Sequence, residues 1–318
     1  MNRLIAIVGI VIALIVAVMM FRVGGDGANR DVEVLIARGS SLTAAAKKLE
    51  QAGAISSATS FVRNARVFGS DTSIKPGEYL IRKGMDAGEI LALLQSGKTL
   101  QRFVAIPEGM PSILVQERLM ATPLLTGEVA VPPEGSVLPD SYAYTRGEAR
   151  TAVIGRMQKA MQTVLANAWV ARKATTAVTS PEQAVILASI IEKETGRASE
   201  RRLVSAVYNN RLKRGMKLEA DPTVIYPVTK GKPLGRRILR SELDKQNDYN
   251  TYQKTGLPVG PIANPGKASI EAALNPEKSN AIFFVAQGDG SSAFAETYAE
   301  HQANVAKWFA HRRAKGEL

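Results

Sequence analysis

The spacing of apolar residues changes character several times along the chain, and each change marks an expected element. Leu4 to Phe21 is an apolar run without a charge between Arg3 and Arg22. At roughly 1.5 Å per residue it reaches about 27 Å, which predicts a membrane-spanning anchor over 1–22. No small-x-small pattern follows within Val18 to Val23, so an uncleaved anchor is expected rather than a signal peptide. Arg3 keeps the amino terminus cytoplasmic by the positive-inside tendency, residues 23–31 form a glycine-rich tether, and the rest lies outside the cytoplasm.

Beyond the tether, alternating and helical periods interleave. Val32–Ile36 reads as a strand. Ser41–Gln51 reads as a helix with Leu42, Ala45, Ala46 and Leu49 on one face, stopped by Gly53. A second helix spans Ala58 to Phe68, the turn Lys75-Pro-Gly-Glu78 opens a strand at Tyr79, Asp86 to Leu94 is a third helix, and Gln101–Ile106 returns as a strand. This strand, helix, helix, strand plan resembles a LysM-like wall-binding module over 32–106, while a spacer or packing role fits the same pattern. Residues 107–150 read as a connecting region with a proline-rich hinge at Thr122–Gly135, and Ala149–Lys173 as a long helix with Val153, Met157, Ala160, Met161 and Val164 inward.

The stretch Ser180 to Gly196 carries the sharpest signal. Ser180 can cap, Pro181 suits the first helical position, and Gly196 can supply a left-handed stop. Ala184, Leu187, Ile190 and Ile191 share a face, and the same series from Leu187 lands on Glu194, so the apolar stripe ends in an acid. Glu192 and Lys193 turn away with Ser189. A carboxyl on the buried side of a last turn is pushed towards its protonated form by desolvation and the helix dipole, which makes Glu194 a candidate general acid. An amphipathic helix whose last glutamate reaches water or an arginine is the alternative.

After it, Glu200–Arg214 is expected to be a helix with Leu203, Val204, Val207, Tyr208 and Leu212 packed, carrying Asn210 and Arg211. Two loops follow, Leu218–Tyr226 with Asp221, Thr223 and Tyr226, and Tyr249–Ile262 with Tyr249, Asn250 and Tyr252. Tyrosine, amide and proline suit sugar binding, since aromatic faces stack on pyranose rings and amides bond hydroxyls; loop turns explain the same composition. Asn264 is read as the cap of a helix from Pro265 to Leu274. Ala281–Ala286 is then a buried strand, Ser292–Ala295 its hairpin partner, and Thr297–Arg312 a closing helix.

Composition narrows the chemistry. With 318 residues, 45% hydrophobic and 22% charged, the chain can bury real cores. Cysteine is absent, and the only histidines are His301 and His311, late in the chain, which argues against a thiolate site, a Ser-His-Asp triad or a histidine-rich zinc site. No metal or cofactor is expected. A net charge of +12 favours anionic surfaces such as headgroups or acidic polymers, but the scattered basic residues form no nucleic-acid motif.

Taken together, Ala188-Ser-Ile-Ile-Glu-Lys-Glu-Thr195, Asn210-Arg-Leu212, Asp221-Pro-Thr-Val-Ile-Tyr226, Tyr249-Asn-Thr-Tyr252, Gly256-Leu-Pro258, Pro261-Ile262 and Asn264-Pro-Gly266 resemble the YceG-like endolytic transglycosylase family. The resemblance implies an α+β protein with an N-terminal anchor, a LysM-like module and a larger mixed α+β catalytic module over 151–318. It further implies a lyase of the cell inner membrane acting on nascent peptidoglycan outside the cytoplasm, cutting between N-acetylmuramic acid and N-acetylglucosamine to leave 1,6-anhydro ends and so end strand elongation. Glu194 is then the catalytic acid, with Asn210, Arg211, Asp221, Thr223, Tyr226, Tyr249, Asn250, Tyr252 and Asn264 around the glycan, and a peptidoglycan synthase as a companion. One departure is Leu138 ahead of Pro139, where the family commonly has an aromatic residue. The alternatives are a non-enzymatic wall-binding protein, or a muramidase pairing Glu194 with Asp221 or Glu219.

Overall fold

The structure, a computed structural model, describes residues 28–68 and 73–316; the anchor expected over 1–22, and most of the tether, lie outside them. No helix among the described residues is long and apolar enough to cross a membrane. The chain divides between Arg102 and Phe103 into two compact units, each mixed α+β.

In the first unit, β1 (Val32–Ile36) pairs antiparallel with β2 (Gly77–Ile81), Val32 opposite Ile81 and Val34 opposite Tyr79. The period of two in β1 buries Val32, Val34 and Ile36 against α1 (Leu42–Gln51), α2 (Ala58–Phe68) and α3 (Ala87–Ser96). Ser41 caps α1, its hydroxyl accepting from Ala44 N at 3.2 Å. Asp86 and Glu89 close a reciprocal capping box on α3, and Gly97 ends that helix in the left-handed region. Glu78 is buried but paired: Arg102 reaches it at 3.1 Å and Glu33 at 2.7 Å.

The boundary falls after the first residue of β3 (Arg102–Ala105), which pairs with β4 (Ser141–Tyr144) beside α4 (Ser112–Ala121) of the second unit. Residues 107–150, expected as a connection with a hinge, contribute Val115, Leu119 and Val137 to a core that Val153 and Met157 of the following helix complete. The proline- and glycine-rich stretch is held because one guanidinium satisfies its carbonyls. Arg150, the first residue of α5 (Arg150–Val170), donates to Leu119, Gly127, Met120 and Thr122 oxygens at 2.7, 2.7, 3.0 and 3.2 Å.

The second core of this unit surrounds α6 (Pro181–Glu194), with α7 (Arg201–Lys213) and α10 (Lys267–Leu274) packed on it. Ser180 caps α6 as expected, accepting from Gln183 N at 3.3 Å. Two expectations for α6 fail. Its buried surface is not one stripe: Ala184, Leu187, Ala188, Ser189, Ile190 and Ile191 are all fully buried. Ser189 belongs inside because it is a tie, its hydroxyl donating to Ile186 O at 2.7 Å and accepting from Ile262 N at 3.1 Å. The helix also stops at extended Thr195, and Gly196 does not adopt the left-handed conformation.

Between these helices run α8 (Asp221–Thr229) and the short α9 (Arg240–Asp244); β5 (Phe283–Ala286), β6 (Ser292–Ala295) and α11 (Tyr298–Ala314) finish the unit. Asp221–Tyr226, expected as a loop, opens α8, since Pro222 in a first turn forfeits no helical hydrogen bond. β5 pairs with β6 as expected, Phe284 opposite Phe294, but its residues are half-buried or exposed rather than buried.

Candidate active site

Glu194 is the last residue of α6, and its carboxyl meets side chains from α7, α8 and the loop beyond α9. Tyr208 of α7, 2% exposed, hydrogen-bonds to it. The charges of Asp221, at the start of α8, and Arg211, one turn beyond Tyr208, are both felt there. Protein surrounds the carboxyl closely, while Glu194 as a whole residue is half-buried. Burial is the largest influence, and it pushes the Glu194 carboxyl up to about 7; the Asp221 charge adds to the rise, while Tyr208 and Arg211 oppose it. An acid so placed is part protonated at neutral pH.

The neighbours are themselves fixed. Tyr252 donates to Asp221 Oδ1 at 2.6 Å, which holds that carboxylate in place. Arg211 spends its donors inside the protein, on Ile282 O at 2.7 Å, Leu218 O at 3.0 Å, Lys217 O at 3.2 Å and Glu219 Oε2 at 3.0 Å, and lies over the Phe283 ring at 5.3 Å. It is a stationary cation beside the acid. Glu192, expected on the side of α6 away from Glu194, has a separate function: its side chain is 7% exposed and accepts from Gly266 N at 2.9 Å, at the amino end of α10. Glu192 and Glu194 thus keep different partners, in line with their helical phase.

Of the residues expected around a glycan, Glu194, Arg211, Asp221 and Tyr252 come together. Tyr226 and Tyr249 pack as a tilted ring pair, centroids 4.9 Å apart, elsewhere on α8 and the neighbouring loop, with the Tyr226 hydroxyl donating to Glu134 at 3.2 Å. Four others are scaffold. Asn210 donates to Ser279 and Ala281 oxygens at 2.8 and 2.9 Å. Thr223 is buried against Thr251, the hydroxyls 2.8 Å apart. Asn250 is buried, closing the turn after α9 through Leu243 O at 3.0 Å and Lys245 O at 2.8 Å.

Asn264 does not cap α10, whose first-turn cap is Gly266 and which starts only at Lys267. Its fully buried amide accepts from Val137 N at 3.0 Å and donates to Met110 O at 2.9 Å, Ser112 Oγ at 3.1 Å and Glu134 Oε1 at 3.3 Å. Leu138 is likewise buried, in the core around α6.

Two residues of this region escaped the sequence reading. Tyr208 looked like packing because it shares the apolar face of α7 with Val204, and only its hydroxyl betrays the site. Glu134, set in a proline-glycine stretch, binds Ser112 and Tyr226, and burial raises its carboxyl above the ordinary range.

The description of the YceG-like family matches residues 34–307, most of the chain. The chain belongs to the YceG-like family. This YceG-like protein is 27% identical to an endolytic murein transglycosylase of Bacillus subtilis, over 89% of its own length and 86% of that relative. It is 26% identical to an endolytic murein transglycosylase of Streptococcus pneumoniae, covering 87% of this chain but 58% of the longer relative. A crystal structure of a YceG-like protein from Listeria monocytogenes superposes with a TM-score of 0.54 at 28% identity, covering 86% of this chain and 98% of that one.

A pH dependence follows from the geometry. If Glu194 must donate a proton, kcat/KM falls as pH rises through about 7. Asp221→Asn removes the neighbouring negative charge, which lets Glu194 ionise more readily, so the alkaline limb moves to lower pH. A rate profile measured from pH 5 to 9 on both proteins checks this; a limb that stays in place in Asp221→Asn rules out the electrostatic link.

Proposed function

We propose that this YceG-like protein is an endolytic peptidoglycan lytic transglycosylase, cutting between N-acetylmuramic acid and N-acetylglucosamine within nascent strands and leaving 1,6-anhydro-muramoyl ends. The observation that carries the reading is one carboxyl, Glu194, raised towards neutrality amid fixed partners, and the names of the curated relatives support it. In the cleavage step Glu194 gives its proton to the bridging oxygen as the C1–O bond breaks. The resulting carboxylate then accepts the proton of the muramoyl C6 hydroxyl, whose oxygen bonds to C1. No water is consumed, and Glu194 ends protonated again. Arg211 steadies the carboxylate that exists between the two transfers, and Tyr208 keeps it oriented.

Asp221 favours a second reading, because it lies close enough to raise the Glu194 carboxyl. In a muramidase it would activate water and the products would carry reducing ends. Mass spectrometry of glycan strands digested by the full-length protein in detergent separates the two. Anhydro ends are expected; reducing ends would move the assignment to the muramidase, and intact strands to a wall-binding protein without catalysis.

The apolar run Leu4–Phe21 supports a single-pass anchor in the cytoplasmic membrane, with the two units outside and the tether short enough to hold them near newly made strands. The antiparallel pairing of β1 with β2 around two helices supports a LysM-like, glycan-holding role for the first unit. A synthase that extrudes strands at the same membrane is the partner this placement favours.

A further inference from the structure

A cavity of about 410 Å³ lies against the last turn of α6, lined by Lys193 and not by Glu194 itself, and has no part in the proton transfers. It is built from the turn Pro107–Pro111, the start of α4, the last turn of α6 and one face of α8. Lys193, immediately before Glu194, lines it, as do Pro222, next to Asp221, and Ile225 and Tyr226 one turn on. The cavity therefore shares both helices that carry the acid and its neighbouring carboxylate.

Its chemistry is unlike that of a sugar subsite. Most of the wall is carbon, from Met110, Leu114, Ile225 and Leu234 among others. Two of the polar groups at its edge are already engaged, Lys232 with Glu117 at 2.7 Å and the Tyr226 hydroxyl with Glu134 at 3.2 Å, while Glu108 is exposed and only faces Arg201 at 3.9 Å. The turn's amides are spent too, Gly109 N on Asn264 O at 2.9 Å and Met110 N on Pro107 O at 3.2 Å. Lys193 is different. It is exposed, its side chain crosses Gly109, and among the described residues its ammonium has no ion-pair or hydrogen-bond partner. A pyranose presents a ring of hydroxyls and needs several free donors and acceptors, which this wall lacks. An apolar hollow with one free cation at its mouth fits a short peptide that starts with methyl groups and then carries a carboxylate.

We propose that this cavity receives the lactyl-peptide stem of a muramoyl residue, with Lys193 pairing the first stem carboxylate, so that the protein selects strands that still bear their peptides. The lactyl methyl and the alanyl methyl lie against Leu114 and Ile225, and the glutamyl carboxylate meets the ammonium. The proposal rests on the lytic reading of the Glu194 site and adds a specificity to it. Lys193 is a binding residue here and takes no part in bond breaking.

The test compares two substrates with the full-length protein in detergent: strands bearing stems, and the same strands stripped by an amidase. The wild type is expected to cut the stem-bearing strands about tenfold more efficiently in kcat/KM, and Lys193→Glu to bring that ratio close to one, chiefly by raising KM for the stem-bearing strands. Equal cutting of both substrates by the wild type overturns the proposal. So does a Lys193→Glu loss of the same factor on both, which would put a sugar ring in the cavity. If the wild type releases no new ends from either substrate, the lytic reading fails separately, and calorimetry decides the cavity. N-acetylmuramoyl-L-alanyl-D-glutamic acid, with its glutamyl α-carboxylate free, binding more tightly than N-acetylmuramic acid, with the advantage lost in Lys193→Glu, sustains the stem site; equal affinities overturn it.

Discussion

Glu194→Gln is expected to lower release of anhydro ends by about 10³- to 10⁴-fold, or roughly 4–5 kcal/mol of transition-state stabilisation, because one side chain serves as both acid and base and glutamine can be neither. The fold is expected to survive, since glutamine keeps the shape and can still accept from Tyr208. Stability carries an independent signature. The carboxyl sits near 7 in the folded chain, above its unfolded value of about 4.5, so its contribution is full below about 4.5 and is lost as pH rises through about 7. The stability of Glu194→Gln relative to wild type should therefore climb between pH 5 and pH 8. Melting curves at both values test this beside the product assay. A variant with undiminished activity ends the catalytic assignment, and a stability difference that does not change with pH ends the claim of a raised carboxyl.

The second large effect is on stability alone. Asn264→Leu fills a similar volume but strands the amide of Val137, leaves Met110 O with only the Asn264 backbone at 3.3 Å, and leaves the Ser112 hydroxyl to its bonds with Pro133 O and Glu134 Oε1. An unpaired buried polar group costs about 1–3 kcal/mol, so a loss of about 2 kcal/mol is expected, and for a unit of this size the melting temperature falls by about 6 °C. Asn264→Asp should also destabilise, since its carboxylate faces Glu134. A variant that melts like the wild type but binds glycan more weakly would show that the amide touches substrate instead of joining the turn at Pro107–Pro111 to residues 133–137.

These two residues also mark what was legible in the sequence. Glu194 could be proposed because its place at the end of a capped helix is local, but a period of 3.6 from Leu187 did not single it out, since α6 is buried on both sides and Glu192 is enclosed as well. Ser180 was legible as a cap because capping, too, is local. Asn264, Asn250 and Thr223 were taken for glycan ligands because polar side chains in loops look alike, whether they bond a sugar or a carbonyl distant in sequence. The inward position of Ser189 is set by Ile262, far along the chain, and no period on α6 could reveal it. Tyr208 was hidden by its own apolar ring, which satisfies the packing pattern while the hydroxyl serves the site. Helix α8 was missed because proline was read as a loop former, although at the first turn it costs the helix nothing.

The glycine at 135 is fixed by its surroundings. It adopts φ +75°, and a Cβ there would lie 2.7–2.8 Å from Pro261 and Val185, so the stretch holding Glu134 can lie against α6 only without a side chain at this position.

The amide that joins these segments has one more property. Asparagine side chains age when the nitrogen of the following residue attacks them and closes a succinimide. The residue after Asn264 is Pro265, whose nitrogen carries no hydrogen. That ring closure is blocked, so the fastener of the second unit is protected against spontaneous deamidation for as long as the protein stays in service.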